Sequence, residues 1–468
     1  MIKEFPTSDN RKPSLAFPTF VLLLLIVITV SAVVALVDWT AIADQLIPLL
    51  VILFVIGSVF FLLRGKATGD IFAPTSLVPA VYLMAFGLGS SPWFLTVGPI
   101  KGIDIELRQW GYYIIGLFAY LMGCWVFSRR NGWAEYPKRL QGWNLDRLLQ
   151  VVIVLGIVAL LVRAILYLRI GIPILHQDVD VKRMEARAIG GLLITLLLLA
   201  NANVPLLFLY ITHTRRHWVF KVFLGIGLLV MIGTLLLSGS RLGIAEAGLF
   251  CVLIYHYTRK KLGIRHLVAL ALILAIFVAV VGFYRMYSKW GELFLLALST
   301  KRGHSSPLFG LVDELVQQVT TGTDGFAFVL DTIPAHVGYR YGWATLTPIR
   351  AIVPGSQQNV GDWVKGLYGG TWTGFGKPVT MLGGFYIDAG WIGILIGMFF
   401  AGMVIQYLYV KVRRNTSPIW ILVYALILSR LLMGARTDIG ASTYALVYGP
   451  AIFLTTHFYV RRFRRAST

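Results

Sequence analysis

Acidic residues are scarce in this chain of 468 residues, with 21 Asp and Glu against 42 Lys and Arg. Charge of either sign is also low, at 13%, where soluble domains carry roughly a quarter. That deficit excludes an ordinary soluble protein. The two cysteines, Cys124 and Cys251, both fall inside apolar segments, which argues against a disulfide framework and suggests no metal site. Neither GxxxxGK[ST] nor HExxH occurs, and the eight histidines are scattered. No nucleotide, metal or other cofactor is therefore expected. Internal repeats and low-complexity tracts are absent as well.

What the chain has instead is apolar sequence. It is 57% hydrophobic, and stretches of 16 to 24 residues with at most an isolated charge recur along nearly its whole length; roughly 20 such residues cross a bilayer core. Twelve segments are predicted to span, near 17–37, 47–63, 75–91, 111–127, 148–168, 190–212, 219–237, 242–257, 267–284, 383–410, 418–435 and 443–458. The expectation is one all-α polytopic membrane domain covering residues 1–468, its first span uncleaved because the run is too long for a signal peptide and further spans follow. The formal charge of +21 then divides between two membrane faces and implies no nucleic-acid partner. With the amino terminus inside, 24 basic residues fall in inner segments and 16 in outer ones, eight of those in a single long loop. Long loops hardly influence orientation, so the short ones place both termini in the cytoplasm.

The long outer interval, residues 285–380, is where function is expected, because loops of this length seldom serve only to connect. It holds eight basic residues, fourteen glycines and thirteen aromatics. Ser306-Pro307 followed by LFGLVDELVQQVT reads as a capped amphipathic helix, and GFAFVLDTI as a second short helix ending at Pro334. The remainder to Gly376 reads as irregular backbone, tolerable at a membrane where it packs on protein or lines a watery cavity.

Arginines gather on the outer side. Arg169, Arg183 and Arg187 lie in the loop RIGIPILHQDVDVKRMEARAIGG with Lys182, and Arg241 closes the tight turn Ser238-Gly239-Ser240-Arg241. Arg163 and Arg430 fall toward the outer ends of their spans, and Arg302, Arg340 and Arg350 in the long loop. Guanidinium forks in a protein with few acids suit an anion, by bidentate contact with phosphate or carboxylate. The competing expectation is that single arginines snorkel or pair with Asp178, Asp180, Glu185, Glu246 or Asp388. Tyr339, Tyr341, Trp343, Trp363, Tyr368 and Trp372 offer flat faces for sugars, or else form an interfacial aromatic belt. An outer general base would come from His304, His336, Asp324, Asp313, Glu314, Asp331 or His176.

Several of these stretches together resemble the Wzy-type oligosaccharide repeat-unit polymerases, the O-antigen polymerase family. The similar stretches are Leu237-Ser238-Gly239-Ser240-Arg241, the GIPIL…KRMEAR outer loop, and LGGFYIDAGWIGILIGMFFAGM with Gly383, Tyr386, Asp388, Gly390 and Gly393 leading into a helix. Arg350 followed by ten residues and Gly361 is similar to the Arg-x10-Gly pattern of such outer loops, a spacing that Arg183 and Arg187 lack. The resemblance implies a GT-C-like, metal-independent, inverting glycosyltransferase of a bacterial inner membrane. Such enzymes move a growing glycan from undecaprenyl pyrophosphate onto a new lipid-linked repeat unit, beside a flippase and a chain-length regulator of the same pathway. On this expectation Arg241 and Arg350 meet the leaving pyrophosphate, with His304, His336 or Asp324 as base. Arg183, Arg187, Arg302, Arg340, Tyr339, Trp343, Gly361 and Asp388 contact substrate. The alternatives are an O-antigen ligase, which shares this topology, and a lipid-linked oligosaccharide transporter, for which related halves and midplane helix breaks would be expected.

Overall fold

The computed structural model of the protein describes residues 39–89, 103–128, 142–176, 191–238, 241–294, 321–350, 358–369, 376–415, 417–438 and 447–461, with positions 179, 181, 182 and 185. The chain divides into two compact units, 1–47 and 48–468, and the helix bundle belongs to the second. Helices make up the described residues; the only β-type pairing among them is an isolated bridge between Trp143 and Arg461. They are α1 (Trp39–Ala67), α2 (Pro74–Gly89), α3 (Ile103–Ser128), α4 (Leu145–Ile170), α5 (Gly191–His213), α6 (Trp218–Leu237), α7 (Arg241–Thr258) and α8 (Ile264–Trp290). Then come α9 (321–332), α10 (Val360–Leu367), α11 (Met381–Arg414), α12 (Pro418–Met433) and α13 (Gly449–Val460). Among the described residues α3, α4, α6, α8 and α11 are long and apolar enough to cross a membrane, and α2 and α12 are shorter apolar helices. The predicted first span, 17–37, lies outside the described residues.

Local chemistry explains the helix limits. α4 starts where the Asn144 side chain accepts the N–H groups of Asp146 and Arg147, and α11 where Thr380 Oγ1 accepts that of Gly383 at 3.2 Å, satisfying donors that a helix start leaves open. Three limits differ from the sequence reading. α8 runs on to Trp290, so Arg285 and Lys289 belong to its last turns rather than to the loop. The tract read as irregular contains α10, capped by Asn359 and burying Val360, Trp363 and Val364. α11 is broken near its start, where Ala389 and Gly390 leave helical geometry. Gly390 takes φ +62°, and a Cβ there would also come within 2.8 Å of Tyr339 Oη, so both backbone and space call for glycine.

α3 and α11 lie backbone to backbone. A Cβ on Gly123 would sit 2.0 Å from Phe399 O, and one on Gly402 2.0 Å from Tyr120 O, the close approach small residues give membrane helices. Ala159, Ala200, Val204, Met231, Leu235 and Ala247 form a second seam among α4, α5, α6 and α7. On the outward faces of α6 and α8, Phe223, Leu229, Leu272, Ile273 and Ile276 are exposed. In helices of spanning length such apolar faces suit lipid contact.

Successive helices run up and down, so their ends gather in two layers. At one of these ends the α1–α2 turn carries Asp70, fully buried. Its carboxylate accepts Phe72 N–H at 3.0 Å, Tyr257 O–H at 3.3 Å and Tyr409 O–H at 2.9 Å. His256 Nε2 lies 3.3 Å away and Arg413 Nη1 3.8 Å. One carboxylate thereby ties α7 and α11 to the α1–α2 turn.

Candidate functional site

At the opposite end, chain from α9 to Thr380 is fastened onto the start of α11. Gly322 lies against the backbone of Arg436 and Gly325 against that of Pro378, closely enough that a Cβ would be 2.4 and 2.0 Å from the respective carbonyl oxygens. Gln109 Nε2 on α3 donates to Thr323 O at 2.7 Å, Thr323 Oγ1 to Gly89 O at 2.8 Å, and Met381 N–H to Gly434 O at 2.7 Å. α2, α3, α9, α11 and α12 are thus sewn together at this end.

Asp388 does the fastening for residues 339–350. Its carboxylate accepts Ala344 N–H at 2.8 Å and Thr345 N–H at 2.7 Å. The helix break frees main-chain carbonyls nearby, and Ile387 O and Asp388 O accept the N–H groups of Arg340 and Tyr341 at 2.9 and 3.0 Å. Asp388, expected at the substrate, is buried, and both its oxygens accept N–H groups of the loop. Held this way, Tyr341 projects almost wholly exposed from a left-handed backbone conformation, φ 47°, rare for a residue other than glycine.

The two loop arginines are placed by indoles. The Arg340 guanidinium lies 4.7 Å from the ring centre of Trp363 and that of Arg350 5.5 Å from Trp343, while the two indoles meet edge to face at 5.5 Å. Trp343, expected to offer its face to a sugar, gives it to Arg350. A guanidinium resting on an aromatic face keeps its in-plane N–H groups for an oxyanion. Among the described residues Arg350 Nη1 is enclosed without a hydrogen-bond partner. Gly361 is buried in α10, in backbone contact with Gly376, so the Arg-x10-Gly spacing joins the Arg350 turn to a close chain crossing. Beside that crossing Lys377 Nζ is 2.5 Å from Asp324 Oδ2 and 4.1 Å from the ring centre of Tyr368. His336 is exposed just after α9, where its main-chain N–H donates to Thr332 O at 2.9 Å.

Of the remaining candidates, Arg241 is the first residue of α7, its side chain outside what is described. Arg183, Arg187, Arg302 and His304 lie outside the described residues. Arg430 takes the pairing the sequence allowed for it, donating from Nη2 to Glu246 Oε2 at 2.6 Å, with Ser429 Oγ 3.3 Å from the other oxygen. Arg163 is buried and, among the described residues, donates only to neutral groups, Thr234 O at 3.1 Å and Tyr167 Oη at 3.4 Å. Among the described residues no group of His, Cys, Asp and Glu is arranged to hold a metal ion.

Sequence reasoning overlooked the tyrosine cluster beneath the loop. Tyr112 on α3 and Tyr386 on α11 lie 5.3 Å apart, Tyr339 is 6.1 Å from Tyr386, and Tyr386 O–H donates to Ile333 O at 3.3 Å. Tyr112 stands in an apolar segment with no local mark to set it apart. Comparisons with protein-family models, with curated proteins and with solved structures find no match for this chain.

Proposed function

We propose that the protein is a membrane glycosyltransferase that joins lipid-linked oligosaccharide repeat units into a surface polysaccharide, at the outer face of a bacterial inner membrane that it crosses about twelve times. In this reading the donor glycan rides on undecaprenyl pyrophosphate. A hydroxyl at the non-reducing end of a second lipid-linked unit attacks the anomeric carbon, the bond from that carbon to the diphosphate oxygen breaks, and the hydroxyl proton passes to a base. Charge develops on the leaving diphosphate, and preplaced guanidiniums stabilise it more in the transition state than in the ground state. Arg241 and Arg350 take that role, with Arg340, Tyr339 and the exposed Tyr341 toward the sugars. Asp324 is a weaker candidate for base than His336 because its carboxylate is taken up by Lys377.

The single observation that carries this reading is the loop end of the bundle. Arg340 and Arg350 are placed there by indoles rather than by carboxylates, on a segment anchored to α11 through Asp388. Structural arginines pair with acids, as Arg430 does with Glu246, whereas these two keep donors for a ligand. Deletion of the gene tests it. Loss of the polymerase leaves single repeat units on the surface lipid; absence of any attached glycan would indicate a ligase instead, and lipid-linked units trapped inside would indicate a flippase.

A further inference from the structure

α11 presents two faces along its length. Ile394, Met398, Gly402, Ile405 and Tyr409 form a buried row against the bundle, and at the end of that row the Arg413 guanidinium turns inward, its Nη1 3.8 Å from Asp70. On the other side Ile392, Ile396, Phe400, Val404 and Tyr407 are exposed. Intervals of three and four residues keep them on one stripe. The same intervals carry the stripe on to Lys411, partly exposed, and to Arg414, exposed. At the helical rise, Ile392 to Lys411 covers about 28 Å, close to the roughly 30 Å of a bilayer's hydrocarbon layer. Apolar side chains therefore occupy the acyl depth, and the first cation stands where lipid phosphates begin.

That cation is seated. Lys411 Nζ lies 5.2 Å from the ring centre of Tyr407, one turn back on α11, and 5.5 Å from that of Trp420 in the first turn of α12. A lysine that merely snorkels lets its ammonium wander among headgroups. Two ring faces, one from each helix, hold the ammonium in place and leave its N–H groups for an oxygen acceptor, where a carboxylate would take them. A phospholipid matches the stripe level by level: an acyl chain along Ile396, Phe400 and Val404, the glycerol beside the two rings, the phosphate at Lys411. Arg414 adds a second positive charge to this face, and a zwitterionic headgroup brings a cation of its own that opposes both, so an anionic headgroup gains more. We propose that this face of α11, with Trp420 of α12, is a binding site for an anionic phospholipid of the leaflet at the Asp70 end, its phosphate held by Lys411 between Tyr407 and Trp420.

The test uses the full-length protein in detergent micelles, with native mass spectrometry to read binding of phosphatidylglycerol, phosphatidylcholine and inorganic phosphate. The parent is expected to prefer phosphatidylglycerol. Lys411→Gln should weaken that binding about fivefold, the effect of one basic residue at an anionic membrane surface. Lys411→Arg keeps a cation over the rings and should stay within about twofold of the parent. Trp420→Leu leaves the charge and removes one ring, for a loss of about two- to fivefold; it carries the comparison if Lys411→Gln does not fold. Lys66, exposed in the last turn of α1, is the control for charge alone, and Lys66→Gln should change binding by less than about twofold. Phosphatidylcholine bound as well as phosphatidylglycerol overturns the proposal, as does phosphatidylglycerol binding unchanged in both Lys411→Gln and Trp420→Leu. An equal loss in Lys66→Gln also overturns it, since the attraction would then be diffuse, and so does binding of inorganic phosphate alone.

Discussion

The two ends of the bundle treat a buried charge in opposite ways. Asp70, sealed at one end, is met by two tyrosine hydroxyls, a backbone N–H, a histidine and an arginine. Among the described residues Arg163, buried toward the other, is met by a carbonyl and a hydroxyl, and Arg350 by the face of an indole. A charge surrounded by its complement is finished as structure, and removing it leaves partners stranded. One met by neutral groups keeps donors that, under the proposed function, an anion takes up. The contrast separates architecture from function more sharply than burial does, since both kinds of residue are enclosed.

Substitutions can break this contrast at either end. The largest effect is expected for Asp70→Ala, which strands the groups around it and should cost about 3–5 kcal/mol, seen as a lowered thermal midpoint in detergent; retained stability would show that the knot is not structural. Next is Arg350→Lys, which should leave that midpoint in place while slowing chain extension on the order of a hundredfold, the scale of one lost oxyanion donor. Measurement of glycan ladders from a complemented deletion strain checks it, and ladders of normal length would remove Arg350 from the chemistry. Asp388→Ala should release the N–H groups of Ala344 and Thr345 at about 2 kcal/mol, read as faster amide exchange across 339–350 with the helices unchanged. The smallest is Lys377→Met, worth about 1 kcal/mol for a partly exposed pair. Limited proteolysis near Asp324 and Gly361 should report it, and an unaltered cleavage pattern would mean that the ion pair does not hold the chain crossing.

The apolar segments were readable because hydropathy over twenty residues is a local property, and helices stand where the described segments were expected. α10 was readable too: Asn359 followed three residues later by Asp362 is a helix-start signature, obscured by the glycines and aromatics around it. The pairings were not readable. Glu246 finds Arg430 from 184 positions away and Asp70 finds Tyr409 from 339, and nothing local states which acid meets which base. For the same reason nothing local states that the Asp388 oxygens accept the N–H groups of Ala344 and Thr345. That indoles would take the guanidiniums was likewise hidden, because composition counts an aromatic without telling which of its faces is used.

The glycine seam between α3 and α11 limits how the molecule can admit a lipid. Where main chains touch at Gly123 and Gly402 there is no room for an acyl or prenyl tail between α3 and α11. Under the proposed function, an isoprenoid tail would instead lie along α6 and α8, whose Phe223, Leu229, Leu272, Ile273 and Ile276 are exposed.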